Sequence, residues 1–147
     1  MTELESLCLT FGEGSREQGP VTCVAPGFYR LGWTPLSAGF EDVEVYQGDV
    51  IEAEPTAEGC HRFVRVVEHG PFKHPGFVVG PAFLESGYFG AFAAALEAAG
   101  GSWEVPINGW LLTHVPTGSS FDVTEHLFHQ RVLAYQAGIV DAPPNAN

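Results

Sequence analysis

Residues 86–115, SGYFGAFAAALEAAGGSWEVPINGWLLTHV, decide the fold. The first half of this stretch has a helical period. Phe89, Phe92, Ala93, Leu96 and Ala99 recur so that one side of a helix is apolar, and the alanines let it lie close against a sheet. Ser86 stands where a hydroxyl caps the first turn, and Gly100-Gly101 supplies the stop. The period then changes. Trp103-Glu104-Val105 and Trp110-Leu111-Leu112-Thr113-His114-Val115 flank Pro106-Ile107-Asn108-Gly109, and Asn-Gly favours the left-handed conformations of a hairpin turn. Counting back from that turn pairs Val105 with Trp110 and Trp103 with Leu112. This places both tryptophans on one sheet face, the face expected beneath the helices.

Upstream, Phe77-Val78-Val79 between Pro75-Gly76 and Gly80-Pro81 reads as a short strand. Downstream, a second helix is predicted over about 122–135. Asp122 and Glu125 form an Asp-x-x-Glu variant of the capping box at its start. After Gly138, Ile139 and Val140 read as an edge strand. The order over 75–141 is therefore β-α-β-β-α-β, the ferredoxin-like arrangement, with two helices on one face of a four-stranded antiparallel sheet. Residues 142–147 read as a flexible tail.

Residues 1–74 read as strands and turns. Leu7, Leu9 and Phe11 alternate with Cys8 and Thr10, and Gly12 to Pro20 reads as a loop. Val21–Val24 and Phe28–Trp33 are extended candidates about the Pro26-Gly27 turn, and Thr34–Gly39 reads as irregular. The strand Gly48 to Glu54 and the β-branched run Phe63 to Glu68 make a hairpin, in which Arg62 and Arg65 stand opposite Glu52 and Glu54. The fold class is α+β: a β-rich, small-barrel-like part and a ferredoxin-like part. They are expected to share one core in a single domain over 1–141.

Six Lys and Arg face eighteen Asp and Glu, a net charge of −12. Phosphate backbones and anionic membrane surfaces are repelled by such a chain, whereas a basic protein partner is attracted. No apolar run is long enough to span a bilayer, and the acidic start lacks the pattern of a secretory signal. Cys8, Cys23 and Cys60 are odd in number and show no metal-clip spacing, so they read as reduced thiols of a cytoplasmic protein.

Tyr29-Arg30-Leu31 with Pro35, Gly48-Asp49-Val50-Ile51-Glu52-Ala53, Phe63 to Glu68 with Gly70, and Leu111 to Pro116 resemble, in their order, a bacterial family filed as a domain of unknown function (four-two-six-five). Relative to that pattern, Phe40–Gln47 reads as an insertion and Pro71-Phe72-Lys73-His74 replaces a more polar stretch. The resemblance implies the fold and assigns no site.

Three groups of side chains carry chemistry worth testing. Glu125, His126 and His129 lie on neighbouring sides of the second helix, and with His114 they are the metal candidates. The glutamate precedes the histidines, unlike the metalloprotease motif, and a solvated helix face explains the same spacing. His69 and His74 bracket a loop with Lys73, where a ligand could sit or a turn could simply reverse the chain. Tyr29 and Trp33 belong to an aromatic set that serves a partner surface or a core. Cys60-His61 would point to opposite faces of a strand and so would not form a thiolate–imidazole pair. Gly12-Glu13-Gly14-Ser15-Arg16 lacks the lysine of a phosphate loop. No coherent catalytic set and no cofactor motif emerges. The reading is a non-catalytic binding or interaction protein, of inhibitor or immunity-like type, that takes a basic protein partner. The alternative is a metal-dependent enzyme or small-ligand binder built on the histidines.

Overall fold

The computed structural model describes residues 4–12 and 15–144. The chain is mixed α+β and divides after Pro71 into two compact units. Each carries its own hydrophobic cluster.

The first unit is a closed five-stranded barrel. Its strands are β1 (Leu4–Thr10), β2 (Arg16–Ala25), β3 (Phe28–Leu31), β4 (Val50–Pro55) and β5 (His61–Glu68). Successive strands pair antiparallel, and the barrel closes where β1 meets β5 in parallel. Alternation fills the interior: Leu7, Leu9, Val21, Leu31, Ile51 and Ala53 are buried, together with Ala38 and Val45 from the β3–β4 connection. The expected cross-strand pairs are present, Glu54 opposite Arg62 and Glu52 opposite Arg65, the latter at 2.8 Å.

Three sequence expectations for this unit are corrected. The loop read over Gly12–Pro20 ends early, because β2 begins at Arg16 and pairs with β1 along its whole length. Backbone pairing outweighs the polar composition there. The irregular stretch Thr34–Gly39 contains a short helix, α1 (Leu36–Phe40). The Glu17 carboxylate, on β2, accepts the amides of Leu36 at 3.2 Å and Ser37 at 2.5 Å, so the helix start is satisfied from a distant strand. Finally, Cys8 and Cys60 form a disulfide, with Cα atoms 4.6 Å apart, and Cys23 is the free thiol. The β1–β5 pairing sets Leu9 beside His61 and thereby brings the two preceding cysteines together. The three free thiols that pointed to the cytoplasm are thus reduced to one.

The second unit contains β6 (Phe72–Lys73), β7 (Gly76–Val78), α2 (Pro81–Leu84), α3 (Gly87–Ala98), β8 (Ser102–Ile107), β9 (Trp110–Pro116) and α4 (Val123–Gln136). The two long helices match the periods read from the sequence. Ser86 caps α3 by accepting from Phe89 N, and Asp122 caps α4 by accepting from Glu125 N. β9 is central, with β8 on one edge and β6 and β7 in turn on the other, all antiparallel. Leu111 and Val115 of β9 face a cluster built from Phe83, Phe89, Phe92, Leu96, Val123 and Leu127.

The ferredoxin-like order is not completed. Ile139 and Val140 form a bend, and the fourth strand is β6, from the front of the unit instead of its end. The four residues after Gly138 leave too little chain before the prolines for a strand to return along the sheet. The hairpin register also differs by one. Trp103 pairs with Thr113 and Ile107 with Trp110, with a bulge between Glu104 and Ile107. One extra residue on β8 therefore separates the tryptophans. Trp103 joins the helix-covered cluster, its ring 4.8 Å from Phe89. Trp110 lies on the opposite face against Gly76, where a Cβ would stand 2.7 Å from the indole nitrogen. The tail assigned to 142–147 falls partly outside the described residues, at 145–147.

Candidate functional site

Three of the four metal candidates gather at the start of α4. Glu125, His126 and His129 line an open cleft of about 680 Å³ together with Ala99, Ser119, Ser120, Phe121 and Asp122. The local sequence builds it. Ser119 accepts the Phe121 amide at 3.1 Å and Asp122 caps the helix at 3.0 Å, so the chain enters α4 at a fixed angle. Phe121 then stacks on the His126 imidazole, centroids 4.4 Å apart and planes 19° apart. The cleft thus offers two carboxylates and two imidazoles, one of them stacked on Phe121. That set suits a cation: carboxylates attract it, and ring faces accept a guanidinium or ammonium.

His114 is not among the cleft's lining residues. It sits on β9 and is 1% exposed. By strand alternation it shares the helix-free face with Trp110 and Leu112, and Glu104 stands opposite Leu112 on that same face. His114 Nε2 lies 2.5 Å from Glu104 Oε2, and its Nδ1 lies 2.7 Å from His74 Nδ1. The sequence placed His74 and His114 in separate groups; the β6–β7 connection brings them together across 40 residues. An ionised Glu104 fixes the proton on Nε2 of His114. The two Nδ1 atoms then share one proton, so one imidazole donates and the other accepts. Among the described residues, no group of three His, Cys, Asp or Glu is placed to hold a metal ion.

The remaining candidates take structural positions. His69 Nδ1 lies 3.1 Å from Asp49 Oδ2, and its own side chain is exposed. Asp49 is fully buried and also accepts the amides of Tyr46 at 3.0 Å and Gly70 at 2.7 Å. A buried carboxylate needs such partners, and here they tie the turn before β4 to the end of β5. Nearby, burial together with Glu44 and Asp49 holds the Tyr46 phenol above the ordinary tyrosine range. Lys73 is exposed on β6. Trp33 lies over Gly19, where a Cβ would fall 2.3 Å from the ring, and its indole nitrogen reaches Glu17 at 3.4 Å. Tyr29 meets His61 edge-on at 5.7 Å. Trp33 and Tyr29 both pack against the barrel's cluster.

Sequence reasoning missed Glu104, Glu17 and Asp49. Each carboxylate acts on a residue at least ten positions away, and no local motif marks it. The one available signal was a lone glutamate between Trp103 and Val105 in a strand expected to face His114's strand.

No family model matches the chain, and no curated protein matches it. The family resemblance drawn from motifs in the barrel and on β9 therefore gains no support from these comparisons. A solved structure of a hypothetical protein from Neisseria gonorrhoeae is similar over 92% of this chain and 90% of its own, with a TM-score of 0.52 and 16% identity. At that identity the likeness is one of fold alone.

Proposed function

We propose that the chain is a non-catalytic binding protein that takes a basic segment of a protein partner on the acidic cleft at the start of α4. An inhibitor or immunity-like action on that partner is the form this reading takes. The observation that carries it is the cleft's composition: Asp122 and Glu125 beside the Phe121–His126 stack, on a chain of net charge −12. The six Lys and Arg are already counted in that charge. Arg16, Arg62 and Arg65 are each paired with a glutamate. Charge of this size steers a cationic partner at long range, and the cleft supplies close contacts.

Calorimetric titration with an arginine-rich peptide tests the reading. Binding is expected at low salt, weaker by about tenfold when ionic strength rises well above the physiological value. Asp122→Asn with Glu125→Gln should abolish it, since asparagine still caps the helix and only charge is removed. Binding indifferent to both salt and substitution would sink the proposal. Duplex DNA should not bind under the same conditions.

The histidine-based alternative has one observation in its favour, the Glu104–His114–His74 chain. Metal analysis of the purified protein separates the two readings. A stoichiometric metal lost on His114→Ala would replace the binding-protein reading with the metal-dependent one.

A further inference from the structure

The barrel's closing seam differs from every other strand pair in it. The antiparallel pairs register over seven residue pairs in β1–β2, four in β2–β3, three in β3–β4 and six in β4–β5, whereas β1 and β5, the parallel pair, register over two, Leu9 with His61 and Thr10 with Arg62. Among the described residues, side-chain contacts lie along those two pairs. Thr10 Oγ1 donates to His61 O at 3.4 Å, Phe11 and Phe63 pack with centroids 5.0 Å apart, and the exposed Arg16–Glu58 ion pair lies beside them. An exposed ion pair contributes little. The Cys8–Cys60 bridge sits immediately before the two registered pairs and joins the strands across 52 residues. It is thus the one covalent tie on the barrel's least-paired seam.

We propose that this disulfide is a redox latch. Its two-electron reduction by a dithiol releases the β1–β5 seam while the antiparallel meander β1-β2-β3-β4-β5 stays paired. The thiolate of the reductant attacks the Cys8 sulfur, the more exposed of the two, and Cys60 leaves as thiolate and takes up a proton. The second thiol of the reductant then displaces Cys8, so one protein disulfide becomes two thiols and the dithiol becomes a disulfide. With the covalent tie gone, the short parallel ladder opens as a local unit. Local opening of this kind is governed by the few contacts that remain. The freed edges of β1 and β5 then present unpaired backbone groups, with the inward-facing Leu9 and Phe63 and the adjoining Phe11.

The test uses the full chain, air-oxidised or treated with dithiothreitol under native conditions, followed by hydrogen exchange read by mass spectrometry. Alkylation of the oxidised protein after unfolding should label one cysteine, Cys23, and the reduced protein should label three. Exchange at residues 9–10 and 61–63 should accelerate at least about tenfold on reduction, with β2–β3 and β8–β9 unchanged. Cys8→Ser with Cys60→Ser should reproduce the reduced pattern. Three labelled cysteines before reduction would overturn the proposal. So would unchanged exchange at the seam, which would make the bridge redundant. Acceleration spread evenly over residues 4–71, in the reduced chain or the double variant, would make the bridge a general staple and overturn it as well.

Discussion

The two units bury apolar surface by different geometries. The barrel wraps a sheet on itself, so buried core residues come from β1 to β4 and β5 adds the partly buried Phe63 and Val66. The second unit leaves its sheet open and covers one face with α3 and α4, so its core draws on helices as much as on β9. In the barrel, long-range backbone pairing decides what is inside. In the layered unit, helix periodicity decides it locally. The face of that sheet turned away from the helices carries the Glu104–His114–His74 chain and Trp110.

Substitutions can break or sharpen this contrast. Phe92→Ala should have the largest effect. It removes a ring that is 1% exposed at the centre of the layered core, at a cost of about 3–5 kcal/mol. Calorimetric unfolding would show it, and a shift no larger than for a surface alanine would deny α3 its place in that core. Gly19→Ala should cost the barrel about 1–3 kcal/mol, because the added methyl must displace Trp33. An unchanged melting temperature would mean that the wall adjusts without the indole. Asp122→Ala should lose about 1 kcal/mol through the helix cap, and Asp122→Asn much less. Equal losses from both would show that charge at the helix start, not capping, is what counts. Arg65→Gln should change stability by under about 1 kcal/mol, since its pair with Glu52 is largely exposed.

The smallest effect is one of pH. Burial, with Cys23 and Glu5 nearby, holds the Tyr29 phenol above its ordinary value. The folded barrel therefore keeps this proton at a pH where the unfolded chain has lost it. Tyr29's contribution is complete below the ordinary tyrosine value and fades as pH rises through the folded one. A phenolate absorbance titration comparing the protein with Tyr29→Phe should show the missing step at the alkaline end. A step at the ordinary position would remove the burial assigned to this ring.

The contrast also explains what could be read in the residues alone. Both long helices, their caps and the Asn108-Gly109 turn were legible because each depends on neighbours within a few positions. The cross-strand pairs Glu52–Arg65 and Glu54–Arg62 were legible because a short hairpin fixes its own register. The helix α1, the disulfide and the β6 edge were not, since each is set by a strand far away in sequence, and the start of β2 was hidden by its polar composition although its partner β1 is adjacent. For the candidate site, the clustering of Glu125, His126 and His129 followed from helical spacing, whereas the meeting of His74 with His114 required the sheet. The bulge on β8 explains the misplaced Trp110: a single inserted residue reverses which face every later side chain occupies, and composition carries no mark of it.

That bulge has an optical consequence. The three tryptophans stand in three different surroundings: Trp33 on the barrel beside Glu17, Trp103 against Phe89 under the helices, and Trp110 over Gly76 on the helix-free face. Had the hairpin kept its simple register, the last two would be neighbours on one surface and their emission would overlap and mix. As built, each indole samples its own environment. Variants that keep one tryptophan at a time give three native fluorophores, able to watch the barrel, the helix layer and the Glu104–His114–His74 face separately and without an attached dye.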